Sequence, residues 1–153
     1  MAAAALGAGG WSAGASINLV DLREQRMANV ETHLDAHASH EVPTAAAANY
    51  SHMNMYKELA ARQYVDPSTA HRQARIDALH PARTADDARA ILSDTADAAW
   101  PIFRGETLAS LVLDGATGRL RVWCCGTPAA RGAPVHTWEL DRFFDGDAAD
   151  GEH

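Results

Sequence analysis

The chain has 153 residues, enough for one domain with a hydrophobic core, and 47% of them are apolar. Its formal net charge of −7 argues against binding to a nucleic-acid backbone, which requires a basic face. No apolar run approaches the roughly 20 residues that cross a bilayer. We therefore expect a cytoplasmic protein with no nucleic-acid partner and no membrane partner.

Composition divides the chain into three parts. Residues 1–12 are interpreted as a flexible Ala/Gly leader, although they could also be the truncated end of an upstream element. Residues 143–153 are acidic and Gly-rich, which is typical of a disordered tail. The intervening residues 13–142 form the expected folded domain.

Alternation of apolar and polar residues predicts two N-terminal strands, over residues 13–21 and 26–33. The polar residues 22–25 form a turn between them, so the pair is expected to be an antiparallel hairpin. Residues 34–43 are polar and His-rich, which indicates a loop or a ragged strand. Residues 45–52 are a third strand candidate.

Two helices are predicted next. Asp66 and Pro67 supply an N-cap and a proline in the first turn, the helix continues over 69–79, and Pro81 stops it. Thr84 caps a second helix, in which apolar residues recur at helical spacing. Two consecutive helices with a short connection predict one αα-hairpin.

Strand alternation returns over residues 106–114 and again over 119–125, with a glycine-bounded turn at 115–118 between them. Residues 133–140 can form one more strand. Strands, then two helices, then strands in hairpins predict an α+β fold with a mostly antiparallel sheet.

The chain's two cysteines are adjacent, at Cys124 and Cys125. Neighbouring side chains on a strand point to opposite faces, so we expect one core thiol and one outward thiol that do not bridge. A catalytic thiolate needs exposure together with a cationic neighbour or a helix N-terminus, which a mid-strand position does not supply. We therefore expect neither cysteine to be catalytic.

Histidines allow a metal interpretation, since His33, His37 and His40 follow one another at spacings of four and three, and His52 comes later. No HExxH motif and no Cys/His quartet accompanies them. The sequence therefore predicts no metal and no cofactor.

Asn54 is the first candidate for chemistry, because it ends a strand-like run in a His52-x-Asn54 turn. An amide there can donate N–H to a developing oxyanion, a contact worth about 3 kcal/mol in acyl transfer. The same side chain could instead cap the turn by bonding its own backbone.

Arginines supply the other candidates. Arg104, beside Gly105 at a strand entrance, could hold a carboxylate or orient a nucleophile, or it could be a solvated surface residue. Arg72 and Arg75 lie three apart on the predicted helix. We expect this pair to be structural, either in ion pairs or by holding the loop before the helix.

Four segments, in order, resemble the C-terminal half of the acyl-coenzyme A:6-aminopenicillanic acid acyltransferase family. These isopenicillin-N acyltransferase-like cysteine peptidases belong to the N-terminal nucleophile (Ntn) hydrolases. The segments are Asn29-Val30-Glu31, the run 50–56, Ser68 with Arg72 and Arg75, and the run 103–108 continuing through 113–114 to 126–128. The likeness covers roughly residues 14–140.

The resemblance implies part of an αββα Ntn sandwich and action on linear amide bonds. It also implies a cysteine nucleophile that is freed by self-cleavage at a Gly-Cys bond and uses its own α-amine as base. By position, Asn54 matches the oxyanion-stabilising asparagine and Arg104 matches an active-site arginine. His52 and Tyr56 are the implied substrate-binding residues.

The chain departs from this family pattern at two points. It contains no Gly-Cys pair, and Met53 and Met55 stand where the family often has Thr or Ala and then His or Asn. We therefore expect a fragment of a cysteine Ntn acyltransferase or amidohydrolase, inactive alone, whose ligand is an acyl amide, an acyl-CoA-like molecule or a peptide. The alternatives are a non-catalytic binding or scaffold domain, and one subunit of a split enzyme completed by a chain that carries the nucleophile.

Overall fold

The computed structural model describes residues 14–43 and 50–140. The chain separates into two compact units, Met1–Pro81 and Ala82–His153. Within the described residues, each unit contains a three-stranded antiparallel sheet and one helix, so the predicted α+β class is confirmed. The predicted leader, 1–12, and the predicted tail, 143–153, lie outside the described residues.

The first sheet has the strand order β1-β2-β3, with β1 at Ala15–Asp21, β2 at Arg26–His33 and β3 at Ala36–Val42. The predicted hairpin of β1 and β2 is confirmed, with Ile17 opposite Val30. Because β2 is the central strand, its backbone is paired on both sides. Four consecutive residues of β2, Asn29 to Thr32, are buried.

Of the two alternatives predicted for residues 34–43, a loop or a ragged strand, the strand is confirmed and the loop is wrong for most of the stretch, because β3 occupies it. His33 pairs with Ala36, which leaves a two-residue turn, and Leu34 adopts a positive φ of 52° there. Tight hairpin turns of this length favour positive φ. Pairing along all of β2 therefore outweighs the polar composition of β3.

For the third strand candidate, residues 45–52, the structure corrects only the last three residues. Residues 44–49 lie outside the described part of the chain, and residues 50–52 have no regular secondary structure. Hydrogen bonds from side chains attach residues 50–52 to β2, where a strand would use backbone hydrogen bonds. Tyr50 donates to Asn29 and His52 contacts Glu31, so the stretch is attached to β2 through its polar groups.

Helix α1 spans Pro67–Ala78 and begins close to its predicted start. The Asp66 carboxylate accepts hydrogen bonds from the backbone N–H and the hydroxyl of Thr69, at 3.1 and 2.6 Å. The buried residues of α1 are polar: Ser68, Thr69 and Gln73. This helix therefore packs through hydrogen bonds on a face with little apolar surface.

The second unit contains α2 at Ala85–Leu92, β4 at Ala109–Asp114, β5 at Arg119–Cys124 and β6 at His136–Glu139. Its strand order is β4-β5-β6, all antiparallel. The predicted cap of α2 is present as a capping box, in which Thr84 and Asp87 satisfy each other's backbone N–H.

Trp123 lies at the centre of the second unit and is 1% exposed. It packs with Val112 and Ala129, and its indole Nε1 donates to the carbonyl of Gly132 at 2.8 Å. The guanidinium of Arg89 lies 5.3 Å from the centre of the indole ring. These contacts attach α2 and the loop after β5 to the sheet.

The strand boundaries in this unit differ from the predicted ones for local reasons. Arg104 and Thr107 form a turn, with the Arg104 N–H donating to the Thr107 hydroxyl and the Thr107 N–H donating to the Arg104 carbonyl. The strand predicted from residue 106 therefore begins at Ala109. The strand predicted over 119–125 ends at Cys124, since Cys125 has a φ of +61°.

The two helices belong to different units, so the expected αα-hairpin stays a prediction. Both are short, with 12 and 8 residues. Neither has the length and the apolar character that a bilayer-spanning helix needs, and the described residues contain no other candidate.

Candidate functional site

A cleft of about 500 Å³ opens in the first unit. One wall is the start of β1, and the other is the chain from residue 52 to residue 64. Three of the four predicted site residues line it together: His52, Asn54 and Tyr56. The other lining residues are Gly14, Ala15, Ser16, Asn18, Met53, Met55, Gln63 and Tyr64.

Glu31 is the group that fixes the wall containing these residues. Its side chain is fully buried on β2. One carboxylate oxygen contacts His52 Nε2 at 2.8 Å and accepts from the backbone N–H of Lys57 at 2.7 Å. The other accepts from the N–H groups of Glu58 and Leu59, at 2.9 and 2.7 Å. We call residues 50–59 the anchored segment.

The charge state of Glu31 follows from these contacts. Burial acts to raise the pKa of Glu31, but hydrogen bonds from the backbone of Lys57, Leu59 and Glu58, and from the His52 ring, outweigh it. The pKa of Glu31 therefore lies below its usual value of 4.5. Glu31 is ionised at neutral pH and its oxygens are occupied, so its role is to position the anchored segment.

Asn29 makes a second attachment between β2 and the anchored segment. Its carboxamide nitrogen donates to Ser16 Oγ and Asn18 Oδ1, at 2.8 and 2.9 Å. Its carboxamide oxygen accepts from the hydroxyl of Tyr50 at 3.2 Å. Burial raises the pKa of Tyr50, with the charges of Glu31 and Glu58 adding to the effect, so the hydroxyl stays protonated as a donor.

Asn54 is exposed in a bend of the anchored segment. Its Oδ1 accepts from Nη2 of Arg72 at 3.5 Å, across from helix α1. A guanidinium can only donate, so the oxygen must face Arg72 and the NH₂ group lies on the other side of the carboxamide. Arg72 thus lies beside the oxygen of Asn54 and contacts the loop before the helix, which is compatible with the structural role expected for it.

Gln73 adds a further link between α1 and the anchored segment. It is 6% exposed. Its amide oxygen accepts from the Met53 N–H and its amide nitrogen donates to the Ser51 hydroxyl, both at 3.0 Å. The helix therefore fixes the backbone immediately before Asn54.

Tyr56 forms a rigid part of the cleft wall. Its hydroxyl donates to the carbonyl of Thr32 at 3.0 Å, and its ring meets that of His33 edge-on at 5.9 Å between centres. Gln63 bonds both the N–H and the carbonyl of Tyr56. Gly14 leaves room for the hydroxyl, because a Cβ at that position would lie 1.7 Å from it.

Arg104, the fourth predicted site residue, belongs to the second unit. It is half-buried in the turn before β4. The structure thus places Arg104 and Asn54 in different units.

The two cysteines also lie in the second unit, at the end of β5. The expectation that they point to opposite faces is wrong, because their sulfur atoms are 2.9 Å apart. Contact with the Cys125 thiol, with burial adding to it, raises the pKa of Cys124, which disfavours a reactive thiolate there. Across the described residues, no group of three or more His, Cys, Asp or Glu is arranged to hold a metal ion.

Sequence reasoning missed the roles of Glu31, Asn29 and Gln73. For the first two of these residues a signal was available, because Asn29 and Glu31 are two apart on β2 and therefore lie on one face of the strand.

Comparison of the sequence with protein-family models and curated proteins, and of the structure with solved structures, finds no match.

Proposed function

We propose that this chain is part of a cysteine Ntn acyltransferase or amidohydrolase that acts on linear amide bonds. The observation that carries the proposal is the convergence of His52, Asn54 and Tyr56 on one cleft, with Asn54 oriented by Arg72. The resemblance of four ordered segments supports it. The α+β fold with antiparallel sheets is compatible with part of an αββα sandwich.

Asn54 is the oxyanion donor in this proposal. When a nucleophile adds to an amide carbonyl, the oxygen gains negative charge, and a positioned N–H stabilises that charge. Arg72 holds the oxygen end of the Asn54 carboxamide, so the N–H end is oriented before the substrate arrives. Removal of one such donor typically lowers the rate by about 10²–10³-fold.

The remaining cleft residues fit an acyl substrate. Met53 and Met55 offer adaptable apolar surface for an acyl chain. Ser16 and Asn18, on the opposite wall, offer polar contacts for an amide or a carboxylate. His52 lines the cleft, but its Nε2 is engaged by Glu31, so its contribution to binding is to fix the wall.

The nucleophile comes from polypeptide outside these 153 residues in this proposal. Neither Cys124 nor Cys125 follows a glycine, and the pKa of Cys124 is raised. Leu111 and Trp138 share a face of the second sheet by strand register and are 56% and 40% exposed. In this proposal, these two side chains provide apolar surface that a second polypeptide covers.

Calorimetric titration with hexanamide and hexanoyl-coenzyme A tests the assigned cleft. Asn54→Asp keeps the shape and the contact with Arg72 but replaces the N–H donor with a charged oxygen, so Asn54→Leu, which removes the donor without adding charge, is its matched control. We expect the unaltered chain to bind at least one of these ligands and Asn54→Asp to bind it several-fold more weakly. No binding, or equal binding by both proteins, would contradict the proposal.

Hydrolysis assays on the purified chain test the external nucleophile. The chain alone is expected to leave linear amides intact. Amide hydrolysis that persists after both Cys124 and Cys125 are changed to serine would contradict this assignment.

A non-catalytic acyl-binding domain is the second candidate. It is favoured by the raised pKa of Cys124, which disfavours a thiolate nucleophile at that residue. A non-catalytic domain is expected to bind a tetrahedral anion and a planar amide with similar affinity. A catalytic site binds a transition-state analogue far more tightly than the substrate. The relative affinity for the two shapes therefore separates the candidates.

A further inference from the structure

The end of β5 brings the two thiols together through an unusual backbone. Cys125 has a φ of +61° and Gly126 a φ of +76°, and the Thr127 N–H donates to the Cys124 carbonyl at 3.2 Å. Positive φ at both central positions is the pattern of a type I′ turn. In this turn the Cys125 side chain does not point to the face opposite that of Cys124, as it would in a strand. Its sulfur lies 2.9 Å from the sulfur of Cys124.

The left-handed conformation of Cys125 is costly, because the Cβ of a non-glycine residue crowds its carbonyl there. Gln25 and Leu34 adopt it as well, in the hairpin turns of the first sheet, so the conformation alone does not mark a site. At Cys125 the conformation has one clear chemical consequence, which is the close approach of two thiols. The chain contains no other cysteine, so this pair is its whole thiol content.

We propose that Cys124 and Cys125 form a redox-modifiable dithiol that closes reversibly to a vicinal disulfide. The oxidant is a low-molecular-weight disulfide such as oxidised glutathione. The thiolate of Cys125 attacks one glutathione sulfur, which forms a mixed disulfide and releases one glutathione thiolate. Cys124 then loses its proton and displaces the second glutathione. In sum, two protein thiols are oxidised and one glutathione disulfide is reduced to two thiols.

Exposure assigns the order of these steps. Cys125 is exposed and accessible to the oxidant, whereas Cys124 is half-buried. The raised pKa of Cys124 agrees with a second, intramolecular role for it. A disulfide between adjacent residues is constrained by its small ring, and strained disulfides are the ones most easily reduced again. The closed form is therefore expected to be reversible.

The test is equilibration of the purified chain in glutathione buffers of graded redox ratio, followed by alkylation and intact-mass measurement. We expect a species that has lost two hydrogens and takes up no alkylating agent, and that returns to the dithiol on addition of dithiothreitol. Cys124→Ser and Cys125→Ser each keep one thiol and serve as matched controls. They are expected to form only the mixed disulfide with glutathione.

A parallel titration in denaturant separates the role of the fold from that of the sequence. The folded chain already holds Cys125 in the left-handed region, so its ring should form at a redox ratio about tenfold more reducing than in the unfolded chain. Equal midpoints would overturn the proposal that the fold prepares the dithiol. Mixed disulfides, covalent dimers or fully alkylated protein as the sole products in the folded chain would overturn ring closure itself.

Discussion

Replacement of Glu31 by glutamine tests the physical basis of the cleft wall. Glutamine has nearly the shape of glutamate but only one acceptor oxygen, and its NH₂ group can only donate. With the NH₂ group in place of Oε2, it faces the N–H donors of Glu58 and Leu59; in place of Oε1, it faces the Lys57 N–H and His52 Nε2, which can accept in its other tautomer. In the better orientation the variant loses the hydrogen bond from Lys57 in a fully buried position, and the remaining partners bond a neutral group in place of a carboxylate.

The expected cost follows from the nature of those bonds. Hydrogen bonds to a charged group contribute about 1.5–3 kcal/mol each and neutral ones about 0.5–1.5 kcal/mol, so the loss of one bond and the weakening of the others amount to about 3–6 kcal/mol. This compares with a total unfolding free energy of about 5–15 kcal/mol for a typical domain. Glu31→Gln should therefore remove a large share of the stability of the first unit.

Hydrogen exchange of individual amides is the most direct assay. The N–H groups of Lys57, Glu58 and Leu59 donate to Glu31, so they report on its loss residue by residue. A cost of about 3–6 kcal/mol corresponds to exchange that is about 10²–10⁴-fold faster. Denaturant unfolding provides the matching global measurement.

Glu41→Gln is the matched control, because it is the same chemical change on the neighbouring strand. Glu41 pairs with Arg26 on the surface, and the two side chains are 76% and 63% exposed. Exposed pairs of this kind contribute about 0–1 kcal/mol, so little should change. If Glu31→Gln unfolds at the same denaturant concentration as Glu41→Gln and its amides stay protected, the anchoring role is refuted.

Two further predictions concern the same unit. Because the folded-state pKa of Glu31 lies below its usual 4.5, the stability that this group provides is fully present above pH 4.5. This stability should be lost as the pH falls through the lower folded-state pKa. In Glu31→Gln, the free energy of unfolding should therefore depend less on pH in that range. An equally steep acid transition in the variant would contradict this account. Gly14→Ala should displace the Tyr56 ring, since the new Cβ would lie 1.7 Å from its hydroxyl, and overpacking of this kind costs about 1–3 kcal/mol. Gly105→Ala is the control, with nothing within 4 Å of its Cβ, and equal melting temperatures for the two variants would refute the predicted clash.

Local signals in the sequence were sufficient for the helices and for most strands. Asp66 and Thr84 have side chains that satisfy the first N–H groups of a helix, so both helix starts were predictable. For β3 the sequence left a loop and a ragged strand open, because its polar composition is typical of a loop and pairing with β2 makes it a strand. Tertiary pairing of this kind has no local signature.

Only the part of the candidate site that lies within a local sequence motif was predictable. Asn54, His52 and Tyr56 could be identified because they lie within one short motif. The role of Glu31 could not, because three of its four partners are backbone N–H groups, which every sequence contains. The closeness of the two thiols depends on the φ of Cys125, which residue type alone does not fix.

The most direct test of the proposed function compares the affinity of the chain for a planar amide and for its tetrahedral analogue. The ligands are hexanamide and the matching phosphonamidate, titrated into the unaltered chain, Asn54→Asp and Asn54→Leu. We predict that the unaltered chain binds the phosphonamidate at least about 100-fold more tightly than the amide, and that both Asn54→Asp and the uncharged Asn54→Leu lose most of this preference. Equal affinity of the unaltered chain for both ligands, or a preference that survives in Asn54→Asp, would contradict the assignment of Asn54 as an oxyanion donor.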